Sequence, residues 1–440
     1  MLLSGAADEQ TAMQRVRRAR HTFDGAPVAG VAAFKYLGLV FHCTQPVGEA
    51  AAEGRARVAR FAAASFEGRC TALGLEAARL LLSLYRQMVD STLSYGAAVW
   101  SPGLALAAVR RLGTQAGAAG GGSGLSAAEQ QHYRTLRRLL GLPQRAPRAT
   151  VLAETGEPPL HAHWLARTAR FWNSLVAAPE GSLMRQVLDA SLQLAADHTP
   201  SRHRGPHGIA QMPWAAQLQS ALAEAGIAAD LQQRQPLQPE AVQEAALQHY
   251  LQHLQTAVQR RGASRLQHYF DCVRPECLEV AGYGMAPYLV EVRERHRRLG
   301  LAELRSGVHW GAEERERLLG PARRPRDQRY CMHCAAAGLG GRAEDADHIV
   351  FECALYAHLR PIWFPDIFPA GQPPLPPETG SHVAQPNRLA TLLGCEFPRE
   401  EDSAMAGEAG GAARRRALAL AAFTGACRRT GRRAAGLPTT

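Results

Sequence analysis

Apolar positions along most of this chain recur at helical spacing. Leu81, Leu84, Tyr85, Met88 and Thr92 lie three or four residues apart and mark one stripe of a helical region, residues 54–100. Ser126 and Glu129 have the spacing of a capping box, opening a helix that ends at Gly141 with Pro143 beyond. Arg134, Arg137 and Arg138 mark its polar side. Residues 160–176 read as a helix burying Trp164, Leu165, Phe171 and Trp172. The Gln-rich stretch 232–259 keeps its leucines at helical spacing and reads as an amphipathic helix. A basic helix covers residues 288–305, and the tail from Gly410 has helical Ala/Leu content between arginine clusters at 414–416 and 428–433.

Strand character is confined to residues 20–43. Thr22-Phe23, Asp24-Gly25 and Ala26-Pro27-Val28 predict a hairpin, because Asp-Gly tolerates the positive φ of a type I′ turn. Residues 34–41 then predict one strand, with Phe34 and Tyr36 on one face and Leu37 and Leu39 on the other. The fold expected is mainly α, a helical bundle with a short N-terminal β-hairpin and strand element and a small Cys3His zinc module. The expected divisions are 1–43 (strands), 44–178 (helical, with a Gly-rich insert at 116–124), 179–322 (helical connector) and 323–365 (zinc module). A Pro-rich linker at 366–381 and a partly helical Arg/Ala-rich tail at 382–440 follow.

With 440 residues the chain has room for several domains, but with 6% aromatics its core must rely on small side chains. The formal net charge is +11, and Lys35 is the only lysine, so the positive charge is nearly all arginine. Clustered arginine suits phosphate binding, although a base-composition bias in the gene would give the same excess. The nine cysteines are odd in number and scattered, which predicts free thiols in a reducing compartment rather than a disulfide framework. No apolar run has the length of a membrane span and the N-terminus has no hydrophobic signal core, so the expectation is an intracellular protein, nuclear before cytoplasmic, with no membrane partner.

One spacing names a chemistry. Cys331 and Cys334 form a Cys-x-x-Cys turn; thirteen residues later comes His348, and after four more Cys353. Three thiolates and one imidazole at such spacing predict a structural zinc site, whose four protein ligands leave no position for a reacting water. His333 and His358 are the alternative imidazoles, but His333 sits inside the Cys-x-x-Cys turn and His348 is favoured. Arg323, Arg324, Arg326 and Arg329 precede the site and are candidates for phosphate contact, or a solvated charge run. Cys272 and Cys277 have no nearby His and read as ordinary thiols; Glu313, Glu314, Asp345 and Asp347 read as charged loop residues.

Four segments in order resemble the downstream half of reverse transcriptases from non-LTR (LINE-like) retrotransposons. They are FKYLGLVF (34–41), LYRQMVDSTLSYGAAVW (84–100), YRTLRRLLGLPQRAPRATVLAETGEPPL (133–160), and LRSGVHWGAEERERLLG leading into the Cys3His site and DHIVFECALYAHLR (347–360). The resemblance implies a thumb-like helical domain followed by a zinc knuckle. It implies RNA or DNA as ligand, with Lys35 and Tyr36 at primer-grip positions and Arg134, Arg137 and Arg138 facing a template–primer duplex. The departures are as informative. Such a polymerase holds two Mg²⁺ on adjacent aspartates upstream of the primer grip, yet the chain has no Asp-Asp pair and only about thirty residues before Phe34. Relatives with an endonuclease use carboxylates and a lysine after the zinc motif, and no lysine follows Lys35. The expectation is a nucleic-acid-binding remnant that is not an enzyme. Its alternatives are a scaffold for a protein partner, or part of a polymerase whose catalytic region lies on other sequence.

Overall fold

The computed structural model describes residues 8–18, 22–113, 124–197, 212–260, 265–316, 322, 324–325, 328–365 and 407–435. Most of the Gly-rich insert, the Pro-rich linker, Cys395, Arg323 and Arg326 lie outside the described residues. Among the described residues helices take 68% and strands 4%, so the fold is mainly α with short hairpins at its N-terminus.

The first hairpin pairs Thr22 with Pro27 and Phe23 with Ala26, and Asp24 and Gly25 both adopt positive φ (47° and 76°), as a type I′ turn requires. The single strand expected over 34–41 is instead a second hairpin. Ala33–Tyr36 pairs antiparallel with Leu39–His42, and Leu37 and Gly38 form its turn at φ 46° and 82°. Gly38 carries the reason: it takes the left-handed conformation freely, so the chain folds back where alternation alone suggests continuation.

The helical region breaks into Val47–Ala72, Ala78–Tyr85 and a wide i→i+5 turn at Arg86–Asp90. That turn shifts the buried stripe. Leu81 and Tyr85 are buried as expected, but Val89 and Leu93 replace Met88 and Thr92, which are only half-buried. The capping box forms as spaced: Ser126 Oγ accepts from the Glu129 amide at 3.2 Å, and the Glu129 carboxylate accepts from the Ser126 amide at 2.9 Å. The helix it opens spans Ala127–Leu140.

The chain divides into two compact units. The first comprises Met1–Arg69, Leu84–Tyr133 and Pro158–Leu254. Its centre is the helix Leu160–Val176, which buries Trp164, Leu165 and Trp172 completely and Phe171 partly. Around it pack Pro102–Leu112, Leu183–Ala196 and Trp214–Glu224, contributing Leu106, Leu188, Leu218 and Leu222. Each such side chain withdrawn from water contributes roughly 1.5–3 kcal/mol. The Trp172 indole donates to Gln235 O (2.9 Å), and Asn173 exchanges two bonds with the Leu237 backbone (2.8 Å each), so the central helix also ties down an irregular segment.

The second unit comprises Cys70–Ser83, Arg134–Glu157 and Gln255–Thr440. The basic helix expected over 288–305 is broken into Tyr288–Glu291 and Arg295–Arg305. Arg298 explains the break: its buried guanidinium donates to the carbonyls of Val292 (2.7 Å) and Arg293, capping the chain where the first piece ends. The tail forms one helix, Gly407–Ala434, packed against Arg295–Arg305. Small residues permit the approach: a Cβ on Gly300 would stand 2.6 Å from Thr424 O. Glu303 and Arg428 meet across the same seam at 3.1 Å with both side chains buried.

Candidate metal centre

Cys331 begins the site as the residue preceding a short helix, Met332–Ala336, which carries Cys334. An antiparallel bridge between Tyr330 and Ala343, with Cys331 N donating to Arg342 O at 2.8 Å, closes the base of the long arm. The thirteen-residue spacer is therefore a closed loop that brings the chain back beside its own start.

His348 and Cys353 come from a single wide turn, His348–Glu352, in which Cys353 N donates to His348 O at 2.8 Å. In an α-helix, residues five apart point about 140° away from one another. The wider i→i+5 turn brings both side chains to one side, which is why a four-residue spacer works here. Turns of this kind concentrate at functional sites.

The four residues are 0%, 3%, 4% and 0% exposed in chain order, and their donor atoms all lie within 4.8 Å of one another. Cys331 Sγ is 3.6 Å from Cys353 Sγ, and Cys334 Sγ is 3.3 Å from His348 Nε2. Metal–sulfur bonds of about 2.3 Å arranged tetrahedrally would give edges of about 3.8 Å between sulfurs. The cluster thus has the size and donor set of a metal site, three soft sulfurs and a borderline imidazole, and zinc is compatible with it. Neither His333, half-buried in the Cys-x-x-Cys helix, nor exposed His358 belongs to the cluster.

The donors act electrostatically on one another. The hydrogen bond from Cys353 holds the Cys331 thiol far down, at about 3, against the opposing effect of burial. The same bond pushes Cys353 up. Burial works against the charged form of His348, but its bonds to Cys331 and Glu352 and the neighbouring sulfurs outweigh it and lift the imidazole to about 10. Thiolate and neutral imidazole are the ligating forms, so a bound ion would take the place of the protons on these donors.

A supporting ring surrounds the donors. Glu352 Oε2 lies 3.4 Å from His348 Nδ1 and takes Arg342 Nη1 at 2.5 Å, a carboxylate on the far nitrogen that orients the ring. Ala354 N donates to Cys334 Sγ at 3.3 Å. Buried Arg360 donates to the carbonyls of Val350 (2.8 Å), Ile349 (3.3 Å) and Cys353 (2.9 Å), fixing the turn and placing a positive charge near the sulfurs. Neither Glu352 nor Arg360 was singled out from sequence; the signal for Glu352 is its position four residues after His348, one helical turn on.

The remaining candidates are scattered. Lys35 and Tyr36 sit exposed on the second hairpin. Arg134 and Arg138 are exposed on the Ala127–Leu140 helix, whereas Arg137 donates twice to Ala146 O, at 3.0 and 2.8 Å. Arg324 pairs with Glu316, its Nε 3.1 Å from Oε2. Arg329 is buried and donates to Arg324 O at 2.9 Å. The chain matches no family model, no curated protein and no solved structure.

A second buried cluster in this unit lies away from the sulfurs. Glu154 is fully buried and accepts from Arg305 Nε (2.9 Å) and from the Tyr269 hydroxyl (2.7 Å). Arg274 donates to Ala153 O at 2.8 Å. Gly156, at φ 68°, passes so close to Met285 that a Cβ would stand 2.3 Å from its amide nitrogen. The Glu-x-Gly segment therefore serves packing: it carries a buried charge whose partner arrives from 151 residues away.

Proposed function

We propose that this chain is a zinc-stabilised, nucleic-acid-binding protein without catalysis of its own, related to the thumb and zinc-knuckle part of a non-LTR retrotransposon reverse transcriptase. The observation that carries the reading is the buried Cys331–Cys334–His348–Cys353 tetrad, closed to solvent and complete with four protein donors. A site of that make-up holds structure and offers no place for a reacting water. Segments quoted for the resemblance also meet in space: Glu154 pairs with Arg305, and the Trp310 indole donates to the Tyr356 hydroxyl at 2.9 Å.

Nucleic acid is the partner favoured by the charge. Several arginines are spent inside the protein, among them Arg137, Arg298, Arg305, Arg329, Arg360 and Arg428. Lys35, Arg134 and Arg138 stand exposed at the surface, where phosphate can approach them. Binding of zinc-loaded protein to labelled single-stranded RNA and to duplex DNA, titrated with salt, tests this. Affinity is expected to fall linearly on a log–log plot, with a slope of about 0.7–0.9 for each phosphate neutralised. Arg134→Ala with Arg138→Ala should lower that slope by about 2. Absence of binding at low salt with zinc in place overturns the reading.

A second reading has its own observation. The hairpins leave Phe23 and Leu37 74% and 72% exposed, with Phe34 and Tyr36 half-exposed beside them. Such uncovered apolar side chains favour a protein partner, including a separate catalytic body, that packs on the hairpins. A stable protein complex with salt-insensitive, weak nucleic-acid affinity would support it.

A further inference from the structure

The helix Pro239–Arg260 carries His249 and His253 one turn apart, within the first unit. Their Nε2 atoms lie 3.1 Å from each other, and the rings meet edge to face with centroids 4.4 Å apart. From this juxtaposition we propose that His249 and His253 form a second metal site, a two-imidazole clamp for a divalent first-row transition ion, independent of the cysteine cluster.

The distance supports it. Two nitrogen–metal bonds of about 2.0–2.1 Å meeting at a right angle span about 2.9 Å, and at the tetrahedral angle about 3.4 Å. The observed separation falls between these, so an ion can seat on both nitrogens with little side-chain movement. His249 Nδ1 is sealed from solvent with no hydrogen-bond partner, which leaves Nε2 as the ring nitrogen that can bind. Both rings are half-buried, so the side facing water remains for solvent ligands to complete the shell. The helix holds the spacing: Tyr250, Leu251 and Leu254 are buried on the side turned to the core. Glu224, paired with Arg110 at 2.8 Å, is the acidic group near His249, and its effect there is smaller than the opposing effects of burial and His253.

Two imidazoles and water suit Zn²⁺, Ni²⁺ and Cu²⁺, and suit Mg²⁺ or Ca²⁺ poorly, since those ions take oxygen ligands. The geometry also fits a simple N–H···N hydrogen bond between the rings, and the experiment separates the two. Full-length protein already loaded at its cysteine site is titrated with Ni²⁺ by calorimetry, chosen because Ni²⁺ does not oxidise thiolates. One site of defined stoichiometry is expected. His253→Gln and His249→Gln should each weaken it by at least about tenfold, with the metal content of the cysteine site unchanged. Circular dichroism reports whether each variant keeps its helices, and His253→Gln, the more exposed change, serves if His249→Gln does not fold. Loss of Ni²⁺ binding in a folded variant supports the clamp. Equal Ni²⁺ affinity in wild type and His253→Gln reduces the pair to a hydrogen bond and overturns the proposal. Where the cysteine site does not hold zinc, its cysteines are blocked by alkylation before the Ni²⁺ titration, so the histidine pair is read by itself.

Discussion

The first unit fills its interior with apolar side chains, Trp164, Trp172 and a ring of leucines, and its buried ionisable groups include neutral imidazoles. The first unit also buries Asp90 and Glu129, but the second carries more buried ion pairs and the cysteine cluster as well. It holds the buried pairs Glu154 with Arg305 and Glu303 with Arg428, Arg360 among carbonyls, and the four side chains of the Cys3His cluster. The difference has a physical consequence. Apolar packing is non-directional and tolerates small shifts, with stability spread over many contacts. Buried ion pairs and a metal tetrad are directional, and removing one partner strands a charge or a thiolate where no water can reach it.

The sharpest way to break this contrast is to deny the Cys3His cluster any metal. Chelation, or Cys331→Ser, should unfold the segment around residues 330–360, with a loss on the order of 10 kcal/mol of metal-coupled folding energy. Hydrogen exchange read peptide by peptide checks it: protection should vanish near the ligands and persist at Leu160–Val176. Equal protection at 330–360 with and without chelator would erase the distinction between the units.

Glu154→Ala is expected to cost about 3–5 kcal/mol, because Arg305 is left buried without its carboxylate. Denaturant unfolding measures it. Replacing both with apolar residues of similar volume should recover much of the loss, which marks the pair as a directional device rather than a source of net stability.

Trp172→Ala in the first unit should cost a comparable amount, about 3–5 kcal/mol, by cavity formation and a lost bond to Gln235. It sharpens the comparison through its other readout: the metal content of the folded fraction should match that of the unsubstituted protein.

The mildest separation is by pH. Burial holds His132 down at about 4 despite the raising influence of Asp90. Burial, with the charge of Arg111, holds His161 at about 3. Unfolding frees both to bind protons near 6.5, so between about 4 and 6.5 the unfolded state binds more protons and stability falls as pH falls. His132 alone contributes on the order of 3 kcal/mol, present in full above about pH 6.5 and gone below about 4. Tyr85, whose hydroxyl is 2.5 Å from His132 Nδ1, is the neighbour to follow by its absorbance during an acid titration. His132→Gln should flatten the profile, and an unchanged slope would show that the imidazole is not buried neutral.

Much of the local structure is readable from the chain. Asp24-Gly25 names its turn, Ser126 and Glu129 name their cap, and the tryptophans at 164 and 172 name the face of their helix. The cysteine spacing names a metal site because ligand geometry is set by short loops. What resisted reading is equally specific. Leu37-Gly38 looked like strand interior, the helix over 288–305 hides a break made by Arg298, and the stripe after Tyr85 slips by one residue at a wide turn. Arginines drawn as a polar face proved to include Arg137, whose guanidinium is spent on the backbone.

Sequence alone therefore decided where the chain is helical, which caps and turns it uses at Ser126 and Asp24-Gly25, and which four side chains share an ion-sized space, since these depend on neighbours a few residues to a few turns away. Only the tertiary structure decided which charges are consumed inside and which remain for a partner. Arg305 and Arg134 are the same residue type, each on a helix; one is buried against a carboxylate 151 positions distant and the other is exposed. That arrival depends on how the whole chain packs, and no local pattern encodes it.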